Sequence, residues 1–205
     1  MIPVTRHALI ADLIELTPSL FNKTAMVGIY DGQDICSCFL NSASKLESLH
    51  FYENFHDAIT VESKNHLLNK YSEWQSAIPN LTISIGDGTL LSKNHSVDFF
   101  FTDAYNIDYR SYFLDSQFDN TLIAMCGYGA AIERTVSISV CIDNRELFPV
   151  MLYNGFLFFT NSQTHYKKSH TLLKSALDSM NITYSNQLQC LRPNGWYHSL
   201  LNTLT

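Results

Sequence analysis

The most restrictive feature of this sequence is a series of short apolar segments separated by stretches of helical length. The segments predict strands at 24–30, 58–61, 81–85, 97–102 and 121–125. The first segment has no polar alternation in Ala25, Met26 and Val27, which is typical of parallel strands that helices cover on both faces. The series ends in 147–160, where Asn154-Gly155 between two apolar runs indicates a tight antiparallel hairpin. The sequence therefore predicts an α/β fold with a doubly wound, mostly parallel seven-stranded sheet, helices on both faces and a C-terminal antiparallel hairpin.

Helical spacing of apolar residues predicts the connecting helices. Leu9, Leu13 and Leu16 indicate a leading helix over 6–16, which Pro18 ends. An apolar face at steps of four, three and four residues indicates a helix over 63–78, with Ser63 as its N-cap. Further helices are predicted at 33–44, 107–117, 130–144 and 168–180. Two stretches stay open: 130–144 is also compatible with a strand, and 45–57 with a helical extension or an additional strand.

Length and charge limit the organisation and the partners. With 205 residues, one domain over 1–205 is expected, with a leading helix in 1–22, a core in 24–161 and a C-terminal helix and tail in 162–205. The net charge of −6 and the scattered basic residues argue against a nucleic-acid partner. The sequence gives no indication of an oligomeric state.

The N-terminal segment and the cysteines bear on the cellular compartment. Arg6, Asp12 and Glu15 interrupt the apolar residues at the N-terminus, which argues against a signal peptide and a membrane span. The five cysteines have no zinc-binding spacing, so we expect reduced thiols. These features predict a soluble cytoplasmic protein that makes no membrane contact.

Gly28 and Gly32 mark the end of the first predicted strand. Glycines at the start of a strand-to-helix connection let the main chain approach a ligand, next to the free N–H groups of the following helix. The alternative is a tight turn without a ligand.

The ends of five consecutive strands resemble, in order, the motifs of the class I S-adenosylmethionine-dependent methyltransferases. The resemblance covers most of 24–161 and lies in VGIYDGQ (27–33), ITVE (59–62), IGDG (85–88), VDFFFTDA (97–104) and LIAMCGYG (122–129). The C-terminal hairpin is similar to the sixth and seventh strands of that family. The resemblance implies a Rossmann-like methyltransferase fold with S-adenosylmethionine as the cofactor.

The same resemblance implies a set of cofactor-binding residues. These are Gly28, Tyr30, Asp31, Gly32, Glu62, Asp87 and Asp103. Glu62 would end the second strand and accept hydrogen bonds from the ribose hydroxyls, a charge-assisted contact that a neutral side chain does not match. If 45–57 contains the second strand, Glu53 takes this place. Asp87 would accept from the adenine amino group.

The resemblance also implies catalytic residues and a reaction. Asp103 is the candidate base, with His95 as a weaker alternative, and Tyr105 and Tyr128 would line the acceptor pocket. Residues 104–106 and 127–128 stand where metal-dependent members bind Mg²⁺, and they include no carboxylate, so we expect no metal. The prediction is metal-independent methyl transfer to an oxygen or nitrogen of a small-molecule acceptor.

Two alternatives remain at the level of sequence. Met26 stands where many members of the family have an acidic residue, which favours a catalytically inactive interaction or scaffold protein with the same fold. A protein that binds another nucleotide is disfavoured, because the glycine spacing is not GxGxxG and the hairpin is foreign to that pattern.

Overall fold

The computed structural model describes residues 6–33, 35–55, 59–86, 96–102, 113–126, 132–153 and 156–182. The helices in these ranges are α1 (Arg6–Leu16), α2 (Ile35–Ser42), α3 (Val61–Ala77), α4 (Ile132–Asp143) and α5 (Gln163–Ser179). The strands are β1 (Lys23–Val27), β2 (Ser48–Glu53), β3 (Leu81–Ile85), β4 (Phe99–Thr102), β5 (Leu122–Met125), β6 (Phe148–Tyr153) and β7 (Phe156–Thr160). No helix in the described ranges has both the length and the apolar character that a membrane span needs.

The strands form a seven-stranded sheet in the order β3-β2-β1-β4-β5-β7-β6. β1 is parallel to β2 and β4, and β2 is parallel to β3. β7 runs antiparallel to β5 and to β6. The predicted fold class is therefore confirmed: a mostly parallel sheet with helices and an antiparallel C-terminal pair. The turn at Asn154-Gly155 lies outside the described residues.

The chain divides into two units, Met1–Tyr105 and Asn106–Thr205. In the first unit the register aligns Val27 of β1 with Tyr52 of β2 and with Thr102 of β4. The carboxyl ends of these parallel strands are therefore level, because neighbours in register end at the same edge. Phe21 and Phe39 pack their rings against Phe99, with centroid distances of 4.6 and 5.6 Å.

The second strand differs from the main prediction. The structure places it at Ser48–Glu53, within the stretch that the sequence left open, so the predicted strand at 58–61 is wrong. Thr60 is the N-cap of α3, and its side-chain oxygen accepts a hydrogen bond from the N–H of Ser63 at 3.2 Å. Val61 is 77% exposed in the first turn of α3, which no buried strand would allow. The predicted N-cap at Ser63 is wrong for the same reason.

Most other elements agree with the sequence. The leading helix and β3 have the predicted bounds, and within 130–144 the structure has a helix, Ile132–Asp143, rather than a strand. α5 begins five residues before the predicted 168. The helix predicted at 107–117 lies mostly outside the described residues, and Ser116–Phe118 forms one 3₁₀ turn there.

The second unit contains the antiparallel strands. Every residue of β5 and of β7 is buried. The ring of Phe113 packs edge-on against the rings of Phe118 and Phe159, at 5.8 and 5.2 Å. β6, at the edge of the sheet, has an irregular register between Pro149 and Met151, where the missing N–H of proline is tolerated.

Candidate functional site

The candidate site is built around residues 28–33, which we call the β1 loop. β1 ends at Val27, and the N–H of Gly28 still bonds to the carbonyl of Tyr52 at 3.0 Å. The chain then takes positive φ angles at Gly28 (84°), Tyr30 (39°) and Gly32 (76°). Glycine adopts this conformation freely, whereas a tyrosine there is strained. The β1 loop thus turns sharply at the carboxyl edge of the sheet.

Glu53, the last residue of β2, holds the β1 loop from one side. Glu53 is 6% exposed, and its Oε2 accepts hydrogen bonds from the N–H groups of Ile29 at 2.9 Å and Tyr30 at 2.7 Å. Hydrogen bonds to a carboxylate are short and roughly twice as strong as neutral ones. Oε1 accepts no hydrogen bond from the described residues. One carboxylate oxygen therefore fixes the loop while the other is uncommitted within that part of the chain.

Helix α3 holds the β1 loop from another side. Lys70 Nζ donates to the carbonyl of Asp31 at 2.6 Å, and the hydroxyl of Tyr71 donates to the carbonyl of Tyr30. The ring of Trp74 fills the space beside Gly32, because a Cβ there would lie 2.1 Å from its Cη2. Three side chains of α3 thus contact three consecutive residues of the loop.

The aromatic side chains of α3 also pack against the segment that follows β2. The ring of Phe55 stacks on that of Tyr71 at 6.1 Å with an interplanar angle of 6°, and Tyr71 contacts Trp74 at 5.5 Å. Lys64 and Lys70 each place Nζ 5.2 Å from an aromatic centroid, above Phe55 and Trp74 respectively. α3 therefore joins the ends of β1 and β2 through rings as well as hydrogen bonds.

Asp31 points its carboxylate back into the β1 loop. Oδ1 accepts from the N–H of Gln33 at 3.2 Å and Oδ2 from its side-chain Nε2 at 2.6 Å. This Asx-type turn is a common local use of aspartate. In this structure the carboxylate of Asp31 shapes the loop.

Burial keeps two groups beside the loop protonated, the phenol of Tyr71 and the thiol of Cys36. Burial raises the pKa of the Tyr71 phenol well above its usual value, and the charge of Glu53 adds to the effect. Burial also raises the pKa of the Cys36 thiol to about 12, with a further contribution from Asp31. Tyr71 is therefore a hydrogen-bond donor at neutral pH, and Cys36 is not a thiolate nucleophile.

The structure brings part of the predicted site together. Gly28, Tyr30, Asp31 and Gly32 share the β1 loop, and Glu53 adjoins them. Glu62 is exposed in the first turn of α3, so the prediction that it ends the second strand is wrong. The open alternative, Glu53, occupies that place. The following predicted residues lie outside the described part, and their roles stay predictions: Asp87, His95, Asp103, Tyr105 and Tyr128.

Three residues of the site were not assigned to it from the sequence. Tyr71 and Trp74 belong to the apolar face of the helix predicted over 63–78, which indicated core packing. The structure buries Tyr71 and leaves Trp74 half-buried. Their contacts with the β1 loop carry no local sequence signal. Lys70 lies beside them on the helix, and nothing in the sequence around it predicts a contact with the β1 loop.

Metal-ligating side chains do not gather in the described part of the chain. Within 6–33, 35–55, 59–86, 96–102, 113–126, 132–153 and 156–182, no three or more His, Cys, Asp or Glu side chains are placed to hold an ion. The predicted loops at 103–106 and 127–128 are outside these ranges.

Comparison with known proteins shows which known fold this chain resembles. No protein-family model matches the sequence, and no curated protein matches it either. A protein from Klebsiella pneumoniae to which O-methyltransferase activity is ascribed matches with a TM-score of 0.53 and 15% identity, over 78% of this chain and 82% of that one. The O-methyltransferase TomG from Streptomyces achromogenes, involved in tomaymycin synthesis and solved in complex with SAM, matches with a TM-score of 0.53 and 12% identity, over 78% and 81%.

These likenesses concern the fold, since the sequences are distant. Together with the strand order they show that the chain has the Rossmann-like fold of the class I S-adenosylmethionine-dependent methyltransferases.

Proposed function

We propose that this protein binds S-adenosylmethionine at the carboxyl edge of β1 and β2 and transfers its methyl group to an oxygen or nitrogen of a small-molecule acceptor. The observation that carries the proposal is the position of Glu53: a buried carboxylate at the end of β2, in contact with the β1 loop. Ligands of open parallel sheets bind outside the carboxyl ends of the strands.

The residues present fit the ribose of this cofactor. Oε2 of Glu53 is engaged with the amides of Ile29 and Tyr30, and Oε1 accepts no hydrogen bond from the described residues. An ionised carboxylate oxygen has two lone-pair sites, enough for the two neighbouring hydroxyl protons of a ribose. The positive φ at Gly28 lets the main chain turn away beside this position.

Positioning is the main task of the protein in the proposed reaction. When bound, the cofactor supplies an electrophilic methyl group on a sulfonium whose leaving group is a neutral thioether. The proposed transfer is metal-independent, because the sequence has no carboxylate at 104–106 or 127–128. The β1 loop and Glu53 would hold the nucleoside and methionine portions, and the acceptor would be aligned for in-line attack. Asp103 is proposed as the base that takes the acceptor's proton, and Tyr105 and Tyr128 as the pocket lining.

The decisive experiment is calorimetric titration of S-adenosylmethionine into the wild type and into Glu53→Gln. The glutamine carbonyl can keep the hydrogen bonds to Ile29 and Tyr30, while its NH₂ replaces the uncommitted oxygen with a donor. We expect binding to weaken by about 30- to 150-fold, the value of a charge-assisted hydrogen-bond pair of about 2–3 kcal/mol.

The matched control is Glu62→Gln, because Glu62 is an exposed acid in the first turn of α3. It should change the affinity by less than about twofold. If Glu62→Gln weakens binding and Glu53→Gln does not, the ribose contact assigned here is wrong. If the wild type binds no S-adenosylmethionine, the proposed activity fails and the scaffold alternative is favoured.

A further inference from the structure

Tyr30 is in an unfavourable conformation that is restrained at both of its peptide groups. Its φ is 39°, in the left-handed region, and its side chain is 58% exposed. This conformation costs a non-glycine residue roughly 1–2 kcal/mol, and such residues persist when their surroundings over-determine them. The N–H of Tyr30 donates to Glu53, and its carbonyl accepts from the hydroxyl of Tyr71.

We propose that Tyr71 is a positioning residue whose hydroxyl holds Tyr30 in the left-handed conformation and thereby sets the β1 loop for cofactor binding. This inference rests on the proposed function, because the loop is the one to which we assign S-adenosylmethionine. It adds a residue of α3 that does not itself need to contact the ligand.

The role belongs to the hydroxyl of Tyr71 rather than to its ring. The ring is stacked on Phe55 and in contact with Trp74, two side chains that are not part of the β1 loop. Tyr71 is 2% exposed, so water does not compete for its proton, and burial raises the pKa of its phenol. Removing the hydroxyl while keeping the ring therefore separates positioning from packing.

Lys70 provides a matched comparison on the same helix. Its Nζ also donates to a carbonyl of the β1 loop, that of Asp31, but Asp31 is not among the residues with positive φ. If hydrogen bonding to the loop in general were what matters, Lys70→Met and Tyr71→Phe would have similar effects. If the affinity depends on holding Tyr30 in its strained conformation, Tyr71→Phe has a larger effect than Lys70→Met.

The test is a double-mutant cycle between Tyr71→Phe and Tyr30→Gly. Glycine adopts positive φ without strain, so residue 30 should then no longer need the hydroxyl. For S-adenosylmethionine titrated by calorimetry, we expect Tyr71→Phe to weaken binding about five- to tenfold in the wild type and less than about twofold in the Tyr30→Gly background. Lys70→Met should weaken it less than about threefold.

A merely structural role predicts a different result. Equal losses in the two backgrounds, or an unchanged affinity of Tyr71→Phe, would overturn the inference while leaving the proposed function intact. If the wild type binds no cofactor, the proposed function fails, and amide hydrogen exchange decides the inference. The Tyr30 amide should then exchange about tenfold faster in Tyr71→Phe, and an unchanged rate rules out positioning by the hydroxyl.

Discussion

The β1 loop and the antiparallel strands of the second unit are held by different kinds of interaction. The loop is fixed by hydrogen bonds to its main chain. Glu53 accepts from the N–H groups of Ile29 and Tyr30. Lys70 and Tyr71 donate to the carbonyls of Asp31 and Tyr30. β5 and β7 are instead stabilised by side chains that are buried along their whole length, with the ring of Phe113 against Phe118 and Phe159.

The two kinds of interaction have different effects: one selects a particular backbone conformation, and the other supplies most of the free energy of folding. Hydrogen bonds are directional and contribute about 1 kcal/mol each, so they can select a strained backbone such as that of Tyr30. Apolar burial is non-directional and contributes more per side chain. Function-related geometry is therefore expected at the β1 loop, and most of the stability of the second unit in its apolar core.

The largest effect is expected from Phe159→Ala in the second unit. Phe159 is fully buried, and the truncation should lower the free energy of unfolding by about 3–5 kcal/mol through lost burial and a cavity. Urea denaturation measures this, and Phe159→Leu, which keeps most of the apolar surface, should cost less than about 2 kcal/mol. If Phe159→Ala lowers the free energy of unfolding by less than about 1 kcal/mol, apolar burial is not the main source of stability in the second unit.

A smaller effect is expected from alkaline pH at Cys36, which lies beside the β1 loop. Burial raises the pKa of its thiol from 9.0 to about 12, so above pH 9 the unfolded chain loses a proton that the folded chain keeps. The free energy of unfolding should therefore fall as pH rises, by about 1.4 kcal/mol per unit, or about 3 kcal/mol by pH 11 from this group.

Cys36→Ala isolates this contribution from the other groups that titrate at high pH. The difference in stability between the wild type and the variant, measured by denaturation at pH 8 and pH 11, should change by that amount in favour of the variant. A pH-independent difference would show that the thiol is not held protonated.

The smallest effect is expected from Gly32→Ala within the loop itself. The added methyl group meets Trp74 at 2.1 Å, and φ is 76°, so we expect a loss of about 2 kcal/mol in the free energy of unfolding. Combining it with Trp74→Ala should remove the steric part and leave about 1 kcal/mol of backbone strain. Strictly additive losses would show that Gly32 and Trp74 do not contact each other.

The fold was largely predictable because it depends on patterns that the sequence repeats. Short apolar segments identified β1, β3, β4 and β5, and the Asn-Gly pair identified the antiparallel β6 and β7. The second strand was misplaced because the short segment Ala58 to Val61 has the apolar residues of a strand. An N-cap at Thr60 and seventeen helical residues after it determine that segment instead.

The candidate site was predictable only in part, because it depends on contacts between distant residues. The glycines of the β1 loop have a local signature, and the choice between Glu53 and Glu62 followed once β2 was located. The hydrogen bond from the hydroxyl of Tyr71 to the carbonyl of the strained Tyr30 joins residues 41 positions apart. No local propensity or spacing records such a contact.

The contact between Trp74 and Gly32 also gives the protein an intrinsic optical reporter. The chain has two tryptophans, and Trp74 lies directly against the β1 loop with Lys70 above its ring. Displacement of the loop changes the polarity and the charge around this indole. With Trp196 replaced by phenylalanine, the emission spectrum of Trp74 would follow the loop during a ligand titration without any attached label.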